Sequence, residues 1–96
     1  MQFIIIAHDY KDGLNRRLAV REKHIELGDK MVAEGKQLYG VALLDNKNQM
    51  RGSVLVVEFS SRKELDEWLK IEPYVVGKVW EKIEITPCKV GPSFKL

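Results

Sequence analysis

The chain has 96 residues, of which 45% are hydrophobic and 31% are charged, a balance typical of one small globular domain. Its formal net charge is only +2, and its basic residues are scattered among acidic ones, which argues against nonspecific nucleic-acid binding. The single cysteine, Cys88, excludes an internal disulfide and favours a reducing cytoplasm. His8, His24 and Cys88 are too widely spaced to predict a metal site.

The first part of the chain predicts a strand, a long helix and a second strand. Residues 2–8 are rich in β-branched side chains, which indicates a strand, and the run is far too short to cross a membrane. Helical periodicity covers residues 14–34, and Gly35 predicts the end of that helix. Residues 37–44 predict the next strand. The apolar positions that share one face of the helix are Leu14, Leu18, Ile25, Gly28 and Val32.

The remaining part predicts a strand, a helix and a final strand. After a polar loop at 45–51, Gly52-Ser53 opens a strand that runs over 54–59. Ser61 is a predicted helix N-cap, with Glu64 as its capping-box carboxylate. This helix ends before Pro73, where a short further turn of helix can start. The last strand is predicted at 79–87, and the tail after it is irregular.

The order β-α-β-β-α-β predicts an α+β fold, the ferredoxin-like βαββαβ arrangement with an antiparallel sheet, in a single domain over residues 1–96. The first and third predicted strands are apolar on both faces, whereas two helices cover only one face of a sheet. We therefore expect a second copy to pack on the other face as a homodimer. The alternative is a monomer whose tail folds across that face.

Polar residues from distant segments meet at one rim of the predicted sheet. Arg17, Arg21 and His24 share a helical stripe that indicates a cleft for a small anionic molecule. His24 is the candidate general acid or base, since imidazole titrates near neutral pH. Its first candidate partner is Glu72, which follows the second helix, and its second is Asp9, which follows the first strand. The alternative is a partly buried histidine that bonds only a backbone carbonyl.

The other candidates at this rim bind rather than react. The guanidinium groups of Arg17 and Arg21 can clamp a carboxylate or phosphate, although surface pairing with acids is the favoured interpretation for Arg17. Tyr74 can donate a hydrogen bond to a ligand or pack beneath its turn. Ser53 lacks an activating neighbour, so a hydrogen bond at the start of its strand is the favoured role. No fingerprint for a nucleotide cofactor occurs.

The chain resembles the YCII-related family over nearly its whole length. Each shared segment is short, and their order and spacing together make the likeness specific. The segments are Ala7-His8-Asp9, Arg16-Arg17-Leu18-Ala19-Val20-Arg21 with His24, Glu34-Gly35, Gly52-Ser53 leading into Val57-Glu58-Phe59, and Trp68 followed by Glu72-Pro73-Tyr74.

The resemblance implies a dimeric α+β barrel and an active site at which a histidine of the first helix meets an aspartate. That histidine corresponds to His24, and the usual Asp-Pro-Tyr corresponds to Glu72-Pro73-Tyr74. Glutamate moves the carboxylate by about 1.5 Å relative to aspartate, a shift to which catalytic geometry is sensitive. Either the pocket compensates, or Asp9 is the partner, or catalysis has been lost. Relatives include dechlorinating and lactone-isomerising enzymes.

Two functions follow from the sequence. The first is a small cofactor-independent enzyme in which His24, with Glu72 or Asp9, catalyses elimination, isomerisation or hydrolysis of a small anion that Arg21 neutralises. The second is a dimeric module that binds a small anion or metabolite without chemistry.

Overall fold

The computed structural model describes residues 1–94 and contains the predicted elements in the predicted order. No helix among these residues is long and apolar enough to span a membrane. The elements are β1 (Gln2–Asp9), α1 (Leu14–Ala33), β2 (Gln37–Leu44), β3 (Met50–Glu58), α2 (Arg62–Leu69), α3 (Pro73–Val76) and β4 (Trp80–Cys88).

The four strands form one antiparallel sheet in the order β2-β3-β1-β4. This order, with α1 and α2 on one face, confirms the ferredoxin-like α+β prediction. The side chains of β1 and β3 alternate between the faces, and those beneath the helices are fully buried. The helix-covered core contains Phe3, Ile5, Ala7, Met31, Leu55, Val57, Phe59, Leu65, Trp68, Tyr74, Val79 and Trp80.

Local signals explain where several elements begin and end. Gly35 adopts a positive φ of 73° immediately after α1, a conformation that glycine accepts without strain. The hydroxyl of Ser61 accepts a hydrogen bond from the Glu64 amide at 3.2 Å, which confirms the predicted cap of α2. The Glu64 carboxylate accepts instead from the hydroxyl of Ser60.

The loop between β2 and β3 is tighter than the sequence predicts, so β3 begins at Met50 rather than near residue 54. The Asp45 carboxylate accepts hydrogen bonds from the amides of Lys47 at 2.8 Å and Gln49 at 3.0 Å. Asn48 takes a positive φ of 61° in the same turn. An aspartate that bonds the amides ahead of it closes a short turn, and this leaves more residues for the strand.

The apolar periodicity of α1 does not mark the face that packs on the sheet. Leu18, Ile25 and Val32 are 53%, 40% and 59% exposed, respectively. The buried stripe is shifted around the helix and consists of Arg17, Val20, His24, Leu27 and Met31, which recur at three- and four-residue intervals. Two members of this stripe, Arg17 and His24, are polar, so a search for apolar positions does not find it. Both residues belong to the candidate site.

The sheet face opposite the helices stays largely open within one chain. Ile4, Ile6, Val54 and Val56 are half-buried there, and Tyr39 on the edge strand β2 is exposed. The irregular tail after β4 reaches one corner of this face, where the Val90 amide donates to Gln2 Oε1 at 2.7 Å and Phe94 borders a shallow apolar hollow.

Candidate functional site

A cleft of about 190 Å³ lies between α1, α3 and the β2–β3 side of the sheet. Five of the seven predicted site residues line it, namely Arg17, Arg21, His24, Ser53 and Tyr74. Glu72 and Asp9 lie behind this wall, bonded to His24 and Arg17 respectively. The remaining lining residues, which the sequence analysis did not assign to the site, are Ile25, Gln37, Gly40, Val41, Ala42, Met50 and Leu55.

His24 and Glu72 form a hydrogen-bonded pair at the wall of the cleft. His24 Nδ1 lies 2.6 Å from Glu72 Oε1, and the side chains are 17% and 2% exposed. A carboxylate at Nδ1 favours the tautomer that carries a proton there, which leaves Nε2 as the basic ring nitrogen. The longer glutamate side chain therefore reaches the imidazole, and Glu72 is the carboxylate that bonds it.

The local sequence sets the position of Glu72. Pro73 disfavours helical backbone in the residue before it, and Glu72 is extended, with φ −64° and ψ 121°. Glu72 thereby becomes the N-cap of α3, and its Oε1 accepts the Tyr74 amide at 2.9 Å. The oxygen that caps α3 is the same one that bonds His24, so this short predicted helix fixes the carboxylate in place.

Tyr74 connects the pair to the rest of the site. Its ring stacks on the His24 imidazole, with a centroid separation of 3.7 Å and an interplanar angle of 9°. The guanidinium carbon of Arg17 lies 4.7 Å from the centroid of the same ring, within range of a cation–π interaction. Trp80 makes T-shaped contacts with both the His24 and the Tyr74 rings. These contacts restrict the orientation of the imidazole.

Arg17 is buried, which overturns its interpretation as a surface ion pair. Arg17 and Asp9 side chains are 3% and 2% exposed, and Nη1 donates to both carboxylate oxygens of Asp9 at 3.0 and 3.1 Å. Nη2 donates to the Gly52 carbonyl at 3.0 Å and to Ser53 Oγ at 2.7 Å. Both terminal nitrogens are therefore occupied by protein, and Asp9 serves Arg17 rather than His24.

Gly52 allows this arrangement because its backbone lies close to β1. A Cβ at position 52 would lie 2.5 Å from the carbonyl oxygen of Ala7. Any side chain would push β3 away from β1 at the point where the Gly52 carbonyl accepts Arg17. The Gly52-Ser53 pair that opens the predicted strand is thus part of the site's backbone.

Burial dominates the electrostatics of two site residues. It raises the pKa of the Asp9 carboxyl above its ordinary value, although the charge and hydrogen bond of Arg17 oppose the rise. It also raises the pKa of the Tyr74 hydroxyl above its usual 10.0. Tyr74 therefore keeps its proton at neutral pH, and its hydroxyl can donate a hydrogen bond to a ligand in the cleft.

Trp80 is a further residue of the site, at the beginning of β4. Its Nε1 donates to Ser53 Oγ at 3.2 Å. The sheet register pairs Asp9 of β1 with Trp80 at the beginning of β4. The ferredoxin-like strand order makes β4 the neighbour of β1, so this proximity is contained in the topology, but no local sequence pattern indicates it.

Arg21 and His8 lie nearer the solvent. Arg21 is exposed at the mouth of the cleft and forms no ion pair among residues 1–94. His8 lies on the rim outside this cleft, with its Nδ1 3.3 Å from Arg51 Nη1. Arg21 is therefore the arginine of the predicted stripe whose charge is available to a ligand.

Sequence comparison places the chain among known proteins. The YCII-related domain matches residues 1–89. The chain belongs to the YCII-related family. A relative, the protein YciI of Escherichia coli, is 30% identical over 95 residues, which cover 93% of this chain and 97% of the relative. An uncharacterised protein of Haemophilus influenzae is 28% identical over the same coverage.

Solved structures support the same fold. A 5-chloro-2-hydroxyhydroquinone dehydrochlorinase from Burkholderia phenoliruptrix, solved with 2,5-dihydroxybenzoquinone, superposes with a TM-score of 0.85 at 21% identity and covers 99% of this chain and 100% of its own. An antibiotic biosynthesis monooxygenase superposes with a TM-score of 0.55 at 14% identity, covering 95% and 98% of the two chains. At these identities the likeness shows the architecture alone.

Proposed function

We propose that this YCII-related protein is a small cofactor-independent enzyme that uses the His24–Glu72 pair for acid–base chemistry on a small anionic substrate. The observation that carries the proposal is the 2.6 Å contact between His24 Nδ1 and the buried carboxylate of Glu72. His24 itself also lines the cleft. A histidine oriented by a carboxylate presents its other nitrogen to substrate and is stabilised when it takes up a proton.

The chemistry that fits best is a proton-transfer reaction such as elimination. Nε2 of His24 removes a proton from the substrate, the freed electron pair forms a double bond, and a leaving group departs with its own pair. This step is redox-neutral, so it needs no oxidant or reductant. Isomerisation and hydrolysis are compatible with the same base. The dehydrochlorinase with the same fold is an enzyme of this class, which supports the choice.

The exposed guanidinium of Arg21 is the reason for proposing that the substrate is anionic. It is the exposed arginine at the mouth of the cleft, whereas the terminal nitrogens of Arg17 are bonded to protein. A guanidinium beside an enolate or ring-derived acid stabilises the negative charge that grows as the proton leaves. We therefore assign substrate binding to Arg21, Tyr74 and Ser53, and assign Arg17 a structural role in the wall of the cleft.

The test is turnover of candidate chlorinated or hydroxylated ring acids by His24→Asn. We expect turnover to fall by about 10²–10⁴-fold, the usual contribution of a general acid–base group. His8→Asn, which alters the other histidine on the rim, is the matched control and should retain wild-type turnover. Undiminished turnover by a folded His24→Asn protein would reject the mechanism.

A binding module without chemistry is the second candidate. The observation in its favour is that Ser53 has no base as a hydrogen-bond partner among residues 1–94, since its partners there, Arg17 and Trp80, are both donors. A thermal-shift screen against phosphate and small carboxylates separates the two functions. Strong stabilisation by a ligand that is recovered unchanged supports binding, and consumption of the ligand supports the enzyme.

We further propose that the protein acts as a cytoplasmic homodimer. The support is the half-buried apolar face of the sheet opposite the helices, which a second copy would cover. The rival arrangement is a monomer in which the tail, already bonded to Gln2, covers more of that face. Light scattering at dilute concentration distinguishes them, because a mass of 11.1 kDa would contradict the dimer.

A further inference from the structure

The bonding of Ser53 restricts what its hydroxyl can do. Ser53 Oγ accepts two hydrogen bonds, from Arg17 Nη2 at 2.7 Å and from Trp80 Nε1 at 3.2 Å. A serine hydroxyl has two acceptor lone pairs and one hydrogen. Both lone pairs are therefore occupied, and neither partner is able to reverse its role, since guanidinium and indole nitrogens only donate.

The remaining hydrogen of Ser53 has no acceptor among residues 1–94. Ser53 is nevertheless one of the residues that line the cleft, and it is 3% exposed. A hydroxyl with its acceptor capacity used and its hydrogen free presents only a donor to whatever occupies the cleft. The donor lies in the same wall as the His24 imidazole and the neutral Tyr74 hydroxyl.

We propose that Ser53 is an obligate hydrogen-bond donor that recognises an acceptor oxygen of the ligand, an anionic enolate or phenolate oxygen, and that Trp80 is the positioning residue that enforces this polarity. The inference rests on the proposed function only in using the same cleft and an anionic ligand. It adds the class of ligand group that Ser53 recognises, an acceptor oxygen, and the residue that restricts Ser53 to donating, Trp80.

The role of Trp80 is indirect. Its indole nitrogen is buried and touches the ligand side of the cleft only through Ser53. If this donor were absent, one lone pair of Ser53 would be free, and the hydroxyl could turn to accept a hydrogen bond from an amine or hydroxyl ligand. The indole therefore prevents Ser53 from accepting, which favours ligands that carry an acceptor at that position.

A binding experiment tests the proposal without requiring turnover. The probes are pentafluorophenolate, which presents an acceptor oxygen, and pentafluoroaniline, which presents a donor nitrogen on a ring of similar size. Calorimetric titration of the wild-type protein should show tighter binding of the phenolate. Ser53→Ala should weaken the phenolate by about ten- to a hundredfold, because a hydrogen bond to a charged acceptor is lost, and should leave the aniline nearly unchanged.

The Trp80→Phe variant tests the positioning role. It should reduce the preference for phenolate over aniline severalfold in the wild-type background and have no such effect in a Ser53→Ala background. A merely structural loss would weaken both probes in both backgrounds. Trp68→Phe is the matched control. The Trp68 indole nitrogen is buried away from this cleft and has no hydrogen-bond partner among residues 1–94, so its removal should leave the preference intact.

Three results would overturn the inference: a wild-type protein with no preference for the phenolate, a Ser53→Ala variant whose preference is as large as that of the wild type, or a Trp80→Phe effect that persists without Ser53. Each is independent of the acid–base proposal. A protein that shows the phenolate preference but no His24-dependent turnover would reject the enzyme and retain the donor role. A protein with His24-dependent turnover but no phenolate preference would retain the enzyme and reject the donor role.

Discussion

The two hydrogen-bonded pairs at the cleft wall, Arg17–Asp9 and His24–Glu72, differ in how much of their bonding capacity the protein uses. Both pack against the Tyr74 ring, and both carboxylates are almost wholly buried. The terminal nitrogens of Arg17 are bonded to protein atoms, whereas His24 is hydrogen-bonded within residues 1–94 only through Nδ1, to Glu72. The comparison teaches that the Arg17–Asp9 pair is committed to contacts within the protein, whereas the His24–Glu72 pair leaves one ring nitrogen over, at which we propose that the substrate reacts.

The largest effect should come from breaking the wall pair. Arg17→Met leaves the Asp9 carboxylate buried without its partner, and we expect a loss of about 3–5 kcal/mol in the free energy of unfolding. Urea denaturation measures it. Arg16→Met is the control, because the exposed Arg16–Asp12 pair should contribute no more than about 1 kcal/mol. Equal losses of unfolding free energy in Arg17→Met and Arg16→Met would contradict the claim that the buried pair contributes more than the exposed one.

The comparison sharpens if the wall pair is replaced as a unit. Asp9→Leu combined with Arg17→Met removes both buried charges, and it should recover much of the stability lost by the single substitution. If the double variant is no more stable than Arg17→Met, the penalty does not arise from the unpaired carboxylate.

The His24–Glu72 pair should respond in activity rather than stability. Glu72→Gln keeps an oxygen for the Tyr74 amide and His24 but removes the negative charge that stabilises imidazolium. We expect turnover to fall by at least about tenfold, while the free energy of unfolding changes by no more than about 1 kcal/mol. Steady-state kinetics and urea denaturation of the same preparation give both numbers. A variant with full turnover would show that the charge of Glu72 is dispensable.

A smaller effect is expected at the mouth of the cleft. Arg21→Gln removes an exposed charge without an ion-pair partner among residues 1–94, so the free energy of unfolding should stay within about 0.5 kcal/mol of wild type. Pentafluorophenolate affinity should fall severalfold, and the loss should shrink at high salt because the group is exposed. Calorimetry at two ionic strengths checks this. An unchanged affinity would take Arg21 out of the ligand site.

The smallest effect is a difference in pH dependence between two aspartates. The raised pKa of Asp9 means that the folded state keeps this proton longer than the unfolded state, so the stability of wild type relative to Asp9→Asn should fall as pH rises above 3.8. A hydrogen bond from Arg16 lowers the pKa of Asp12, so the stability of wild type relative to Asp12→Asn should be lost as pH falls below 3.8. Urea denaturation at several pH values measures both slopes, and slopes of the same sign would contradict the assignment.

Much of the fold follows from patterns within single segments. Strand alternation, Gly35, Ser61 and Pro73 predict the order of elements and most of their ends, because each acts through local backbone geometry. The polar residues after Leu44 predict a longer loop, and therefore a later start of β3, than the structure has. The difference arises because the Asp45 carboxylate accepts two backbone amides and closes a tight turn.

The site was predicted less completely because its central contacts join residues that are distant in sequence. His24 and Glu72 were paired from topology, and the structure places them within hydrogen-bonding distance. The burial of Arg17 depends on Asp9, Gly52 and Ser53 together accepting its hydrogens, and no spacing along one helix contains that information. Polar residues at buried positions also explain why the apolar residues of α1 indicated a different face.

The hydrogen bond from Trp80 to Ser53 places a natural fluorophore beside the cleft. The chain contains two tryptophans, and Trp68→Phe would leave Trp80 as the only indole in the protein. Indole emission is sensitive to the polarity and hydrogen bonding of its surroundings, so occupation of the cleft should alter the colour and intensity of that emission. The protein could then report its own ligands in a plate reader, and large libraries of unlabelled metabolites become searchable without knowledge of the reaction.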